Sequence, residues 1–122
     1  MTDEELAARL ADGAGRLLLE LRESRFLEGR ALGRVGDKVA NAFILTALGE
    51  WRPDDPVLSE ESPDSAERLR SDRLWIIDPL DGTREYCEGR PDWAVHVALA
   101  VQSRPLLGAV AVPGLGRLFR SA

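Results

Sequence analysis

Two aspartates, Asp78 and Asp81, close an apolar run that reads Trp75-Ile76-Ile77-Asp78-Pro79-Leu80-Asp81-Gly82-Thr83. The stretch Leu74 to Ile77 has the look of a buried strand. Pro79 has no N–H for a central ladder, so the strand is expected to stop there. The two carboxylates are then held close together at the mouth of a sheet, on a stiff turn. Like charges so placed repel unless something positive sits between them. Carboxylate oxygens are hard ligands and suit Mg²⁺. Gly82 and Thr83 follow with backbone N–H groups of the kind that grip a phosphate.

A second acidic site lies upstream. Val57-Leu58-Ser59 is a short apolar run, read as a strand, and Glu60-Glu61 follow it at once. Two strands that both end in carboxylates make one metal site if they are neighbours in a sheet, because open α/β sheets place ligands at the carboxyl ends of strands. Acids beside Pro and Gly are also ordinary turn chemistry, and Glu-Glu is often a solvated surface. Taken together and in this order, the two segments favour a metal.

The same residues resemble a known family. Asp78-Pro79-Leu80-Asp81-Gly82-Thr83 after an apolar strand, with Ser59-Glu60-Glu61-Ser62 upstream, is similar to the inositol monophosphatase superfamily of Mg²⁺-dependent phosphatases. Within it, Arg84-Glu85-Tyr86 and the run from Asp92-Trp93 to Leu99 look like the CysQ type, the 3'(2'),5'-bisphosphate nucleotidases. The resemblance implies hydrolysis of a phosphate monoester, with the 3'-phosphate of adenosine 3',5'-bisphosphate as the leading substrate. Inositol monophosphatase or fructose-1,6-bisphosphatase activity is the alternative within the enzyme class. A non-catalytic, metal-binding or self-associating remnant is the alternative outside it. It further implies that Glu60, Asp78, Asp81 and the Leu80 carbonyl hold Mg²⁺. Thr83, with Glu60 or Asp37, would orient the attacking water, and the N–H groups of Gly82 and Thr83 would hold the phosphate. Asp37 also reads as a helix N-cap; in the family, the matching Asp lies before a helix, near the metals.

The implied fold is α+β: two N-terminal helices on a mainly antiparallel sheet, the N-terminal part of a layered sugar-phosphatase fold. Residues 30–36 depart from the Lys…Ser-Pro-Val-Thr pattern common in the family, and nothing matches the later Trp-Asp-x-Ala-Ala-Gly-like motif. Residues 1–122 are therefore expected to form the metal-binding N-terminal half of such a phosphatase, turning over poorly alone. An apolar sheet face left without cover should bring two copies together or capture a complementary C-terminal fragment.

Composition narrows the classes. The 122 residues carry a net charge of −5, which argues against a nucleic-acid polymer as partner but not against a small phosphorylated substrate. Cys87 is the single cysteine, so no intrachain disulfide forms and a reducing cytoplasm fits. The chain opens Met-Thr-Asp-Glu-Glu, unlike a basic signal segment, and no apolar run is long enough for a bilayer.

The elements that must position these residues follow from periodicity. Thr2 to Glu5 has the form of a capping box. Leu6, Leu10, Ala14, Leu17, Leu18 and Leu21 then recur at helical spacing. Gly13 and Gly15 weaken that helix by about 1 kcal/mol each and suggest close packing. Residues 28–36, with three glycines, read as a loop. A second helix begins at Asp37, with Val39, Ala40, Phe43, Ile44, Ala47, Leu48 and Trp51 on one broad apolar face. Residues 62–72 are polar, with a short helix expected from Pro63. Residues 84–90 read as a loop opened by one helical turn. Trp93 to Val101 alternates as a strand covered on both faces, with His96 facing inward and satisfied by a hydrogen bond. Leu106 to Val112 pairs with it, and Leu118-Phe119 begins another strand. The tryptophans Trp51, Trp75 and Trp93 are expected to pack, and Cys87 to be incidental.

Overall fold

The computed structural model describes residues 1–59 and 72–121. Helix α1 spans Asp3–Ser24 and α2 spans Gly29–Trp51. Five strands follow: β1 Val57–Ser59, β2 Arg73–Asp81, β3 Ala94–Val101, β4 Arg104–Val112 and β5 Arg117–Arg120. A short helix α3, Thr83–Cys87, lies between β2 and β3. The strands form one sheet in chain order, with β1 parallel to β2 and the other pairs antiparallel. This is the α+β arrangement expected from the sequence. The helix expected from Pro63 and the carboxylates Glu60 and Glu61 fall outside the described residues.

The start of α1 follows the capping logic: the Thr2 hydroxyl accepts from the Glu5 N–H at 3.1 Å. Leu6, Leu10, Ala14 and Leu18 bury one face of α1. Gly13 and Gly15 permit close approach, since a Cβ would lie 2.8 Å from the Phe43 ring at one and 2.5 Å from Pro113 at the other.

The second helix begins well before Asp37. Residues 29–36 are its first two turns, not a loop. Two of the three glycines that suggested a loop serve tertiary packing: a Cβ on Gly33 would sit 2.7 Å from Cys87 Sγ, and one on Gly36 3.1 Å from both Leu18 and Tyr86. Propensity was overridden by the gain from pressing α2 against α1 and α3. Asp37 is thus about two turns inside the helix and is not its N-cap.

Strand β2 also runs further than expected, through Pro79 to Asp81. The register with β3 shifts between Asp78 and Asp81, a bulge that contains Pro79. On the other side the described pairing with β1 runs to Ser59, opposite Ile77, so among the described residues Pro79 has no ladder partner there to deprive of an N–H.

The core lies between the helices and one face of the sheet. Trp75, Ile77, Val95, Val97, Leu99, Ala109 and Ala111 are buried there with Leu18, Ile44 and Leu48. Alternation turns Ile76, His96, Ala98 and Val110 to the opposite face. That face is not covered: Ile76 is 40% exposed, and Phe119, paired with Val110, is 54% exposed. His96 therefore does not face inward. Trp75 and Trp93 are buried as expected, whereas Trp51 at the end of α2 is 52% exposed. At the far end of β2, Arg73 bridges Asp55 and Asp3, and Arg52 also bonds Asp3 at 2.8 Å.

Candidate active site

The site is built where β2 ends and α3 begins. The bulge fixes Asp78 and Asp81 on either side of two buried residues, Pro79 and Leu80, so the strand end is anchored in the core while its acids are not. Asp78 is half-buried and Asp81 exposed. Gly82 then takes φ +91°, and a Cβ there would also meet the Asp92 carbonyl at 3.2 Å, so both conformation and space call for glycine.

Helix α3 is held from below by Tyr86. Its phenol donates to the Leu18 carbonyl at 2.6 Å, and its ring meets Trp93 edge-on at 4.9 Å. The Arg22 guanidinium lies over both rings and donates to the Tyr86 and Arg90 carbonyls. Burial pushes the Tyr86 phenol up to about 12, against a small opposing pull from Arg22.

Three of the expected residues converge. The Thr83 hydroxyl donates to Asp37 Oδ2 at 3.4 Å and lies 3.5 Å from the Leu80 carbonyl oxygen. Asp37, from the interior of α2, thereby meets the end of β2. One helical turn further on, Asn41 Oδ1 accepts from the Ser59 hydroxyl at 2.7 Å, tying the end of β1 to the same helix. Ser59 is opposite Ile77, the residue before Asp78, so the described parts of the two acid-ended strands do run side by side. Glu60 itself falls outside the described residues, and among these no group of three or more Asp, Glu, His or Cys side chains is poised around a metal.

Two contacts at this site were not anticipated. His96 Nε2 lies 3.1 Å from Asp81 Oδ2. The strand pairing that puts His96 opposite Asp78 is the cause, and the 12-residue connection from Gly82 to Trp93 hid it from a hairpin count. The Asn41–Ser59 bond was equally unforeseen, although Asn41 shares a helical face with Asp37. Cys87 sits behind Thr83, and burial pushes its thiol up, with a further push from Asp37 and Glu88 against a hydrogen bond from Gly33.

The end of β2 thus carries the Asp78 and Asp81 carboxylates and the Leu80 carbonyl beside a turn that favours glycine. A profile of the inositol monophosphatase family matches residues 5–122. The chain belongs to that family. Among curated proteins, this inositol monophosphatase family chain is 51% identical to the 3'-phosphoadenosine 5'-phosphate phosphatase of Mycobacterium leprae, over 99% of the chain and 49% of that protein. It is 41% identical to the 3'(2'),5'-bisphosphate nucleotidase CysQ of Salmonella typhimurium, over 70% of the chain and 35% of that protein. The structure of CysQ from Bacteroides thetaiotaomicron superposes with a TM-score of 0.86 at 31% identity, covering 98% of this chain and 45% of the other. The chain spans about half the length of the curated relatives it matches. No helix among the described residues is long and apolar enough to cross a membrane.

Proposed function

We propose that this chain is the N-terminal, metal-binding part of a Mg²⁺-dependent phosphatase that removes the 3'-phosphate from adenosine 3',5'-bisphosphate in the cytoplasm. The observation that carries the reading is the convergence of Asp37, Thr83 and the Leu80 carbonyl at the end of β2. The names of the nucleotidase relatives support the substrate.

The donors fit Mg²⁺: Asp78, Asp81 and the Leu80 carbonyl offer hard oxygens on a strand end fixed by buried neighbours, with Glu60 as a further expected ligand. Bound there, the ion would supply Lewis acidity to the phosphoryl oxygens. The chain's own residues supply the rest. Gly82 and Thr83 N–H groups bind the phosphate at the start of α3. Asp37 accepts the Thr83 proton, which leaves a lone pair of the hydroxyl oxygen to accept a hydrogen bond from the attacking water. Glu60 is assigned to the same water. No protein nucleophile is needed.

The open sheet face around Ile76, Val110 and Phe119 is assigned to a second copy of the chain or to a complementary C-terminal fragment. Sedimentation across a range of concentrations should show association; a concentration-independent monomer that also ignores such a fragment would remove that part of the reading.

The function is tested by phosphate release from adenosine 3',5'-bisphosphate, with and without Mg²⁺, in the chain and in Asp81→Asn. Release should require Mg²⁺ and fall in the variant. Release that is indifferent to both would refute the assignment.

A further inference from the structure

His96 and Asp81 meet because of the bulge in β2. Asp78 lies opposite His96 and Asp81 opposite Ala94, so β2 takes three steps where β3 takes two. In an unbroken ladder Asp81 would fall opposite Trp93, whose side chain is buried in the core. The extra residue turns Asp81 to the other face, the one that Ala94 and His96 share by alternation. One insertion thus takes the carboxylate out of the core and sets it beside an imidazole.

The contact has a direction. His96 Nε2 lies 3.1 Å from Asp81 Oδ2. An ionised carboxylate only accepts, so Nε2 carries the hydrogen. Among the described residues, the Asp81 carboxylate has no other hydrogen-bond partner, which leaves Oδ1 open to a ligand.

Stability does not account for the pair. The two side chains are 42% and 60% exposed, and a pair so wet adds little to the fold. What it does change is the freedom of Asp81. An exposed aspartate samples several rotamers, whereas one held through a single oxygen from the neighbouring strand keeps one of them. The residue type also fits a neighbour of a cation. Lysine or arginine in this place would oppose the ion with a permanent charge, while an imidazole can donate the same hydrogen bond when neutral. Hydrogen bonds from such partners orient the carboxylates that ligate metals.

We infer that His96 is a positioning residue for the Asp81 carboxylate: its Nε2–H holds Oδ2 and so presents Oδ1 to the divalent cation. This rests on the assignment of Asp81 as a Mg²⁺ ligand. His96 takes no part in bond cleavage and is not itself a ligand.

The full chain is titrated with Mg²⁺ by calorimetry as wild type, His96→Ala, His96→Gln and Asp81→Asn, with melting temperatures taken alongside. His96→Ala should bind Mg²⁺ about tenfold more weakly. His96→Gln keeps an N–H donor of similar reach and should recover most of that loss. The melting temperatures of the two His96 variants should stay close to that of the wild type. His96 is the single histidine, so its ring signals in a nuclear magnetic resonance spectrum are assigned by composition. Mg²⁺ should shift them in the wild type and leave them unmoved in Asp81→Asn. Ring signals that ignore Mg²⁺ in the wild type, or a loss that glutamine does not restore, overturn the inference. A loss in His96→Ala that is larger for Zn²⁺ than for Mg²⁺ also overturns it, by making His96 a direct ligand. If Asp81→Asn abolishes Mg²⁺ binding and His96→Ala binds like the wild type, the metal site stands and the positioning role alone falls. If the wild type takes up no Mg²⁺, both fall.

Discussion

The Thr83 hydroxyl donates to the Asp37 carboxylate across 3.4 Å and so joins the first residue of α3 to the interior of α2. The bond is long and half-buried, which gives it little weight in stability and leaves the hydroxyl oxygen oriented. Thr83→Val and Asp37→Asn should each lower phosphate release by about 100-fold or more. Neither should shift the melting temperature by more than a few degrees, roughly 1 kcal/mol. Parallel loss of fold and activity in both variants would show that the pair is structural.

Gly33 and Gly49 lie in the same helix and predict opposite outcomes for the same substitution. A Cβ at Gly33 would lie 2.7 Å from Cys87 Sγ and 2.8 Å from Thr83 Cγ2, so Gly33→Ala should cost about 1–3 kcal/mol by pushing α3 off α2. At Gly49 nothing lies within 4 Å, and Gly49→Ala should add about 0.5–1 kcal/mol. Chemical denaturation of the two variants measures both signs.

Those glycines also show how far the sequence could be read. The apolar periodicity of α1, the alternation of β3 and the acids at the end of β2 were all legible, because one face or one strand end dictated each. The extent of α2 was not. Gly29, Gly33 and Gly36 look like a loop in one dimension; Gly29 opens the helix with a positive φ, and the approach of Cys87, Thr83, Leu18 and Tyr86 explains Gly33 and Gly36 as helix. Pro79 misled in the same way: its place in a bulge between β2 and β3 is a property of the sheet. At the site, Asp37, Leu80 and Thr83 were named from the motif and meet in space. The approach of His96 to Asp81 depends on strand register, which no local pattern encodes.

Tyr86 is the single tyrosine, so its titration can be followed directly by ultraviolet absorbance. Burial pushes it up to about 12 in the folded chain, against about 10 when unfolded. A raised folded value favours the neutral phenol in the fold. Its contribution is therefore complete below pH 10 or so and is lost as pH climbs toward 12. Tyr86→Phe should abolish the transition and lose about 1 kcal/mol, the worth of the bond to the Leu18 carbonyl. A tyrosine that titrates near 10 under native conditions would contradict the buried placement.

Asp3 governs the acid side. Burial pushes its carboxyl up, but hydrogen bonds from Arg73 and Arg52, with their charges, outweigh this and leave it below the ordinary value of 3.8. A lowered folded value means that the ion network stabilises the protein above the ordinary carboxylate range. The contribution fades as pH falls through the folded value. Asp3→Asn should cost about 1 kcal/mol at pH 7 and progressively less as the pH is lowered into the acid range. Melting curves of the two proteins across a series of falling pH values give the comparison.

The strands lie across the sheet in the order in which they occur along the chain. From β2 onward each new strand is added beside the last one made, and none has to be threaded between partners already joined. A nascent chain can build this sheet in one direction as it leaves the ribosome, over two helices synthesised earlier. Among the described strands, β3 to β4 and β4 to β5 join through short turns, whereas β1 to β2 and β2 to β3 each close only across a dozen or so residues, which costs entropy that a tight turn does not. Ser59 and Asp78 belong to those two pairings, so the candidate site lies on the half of the sheet that closes over the longer loops.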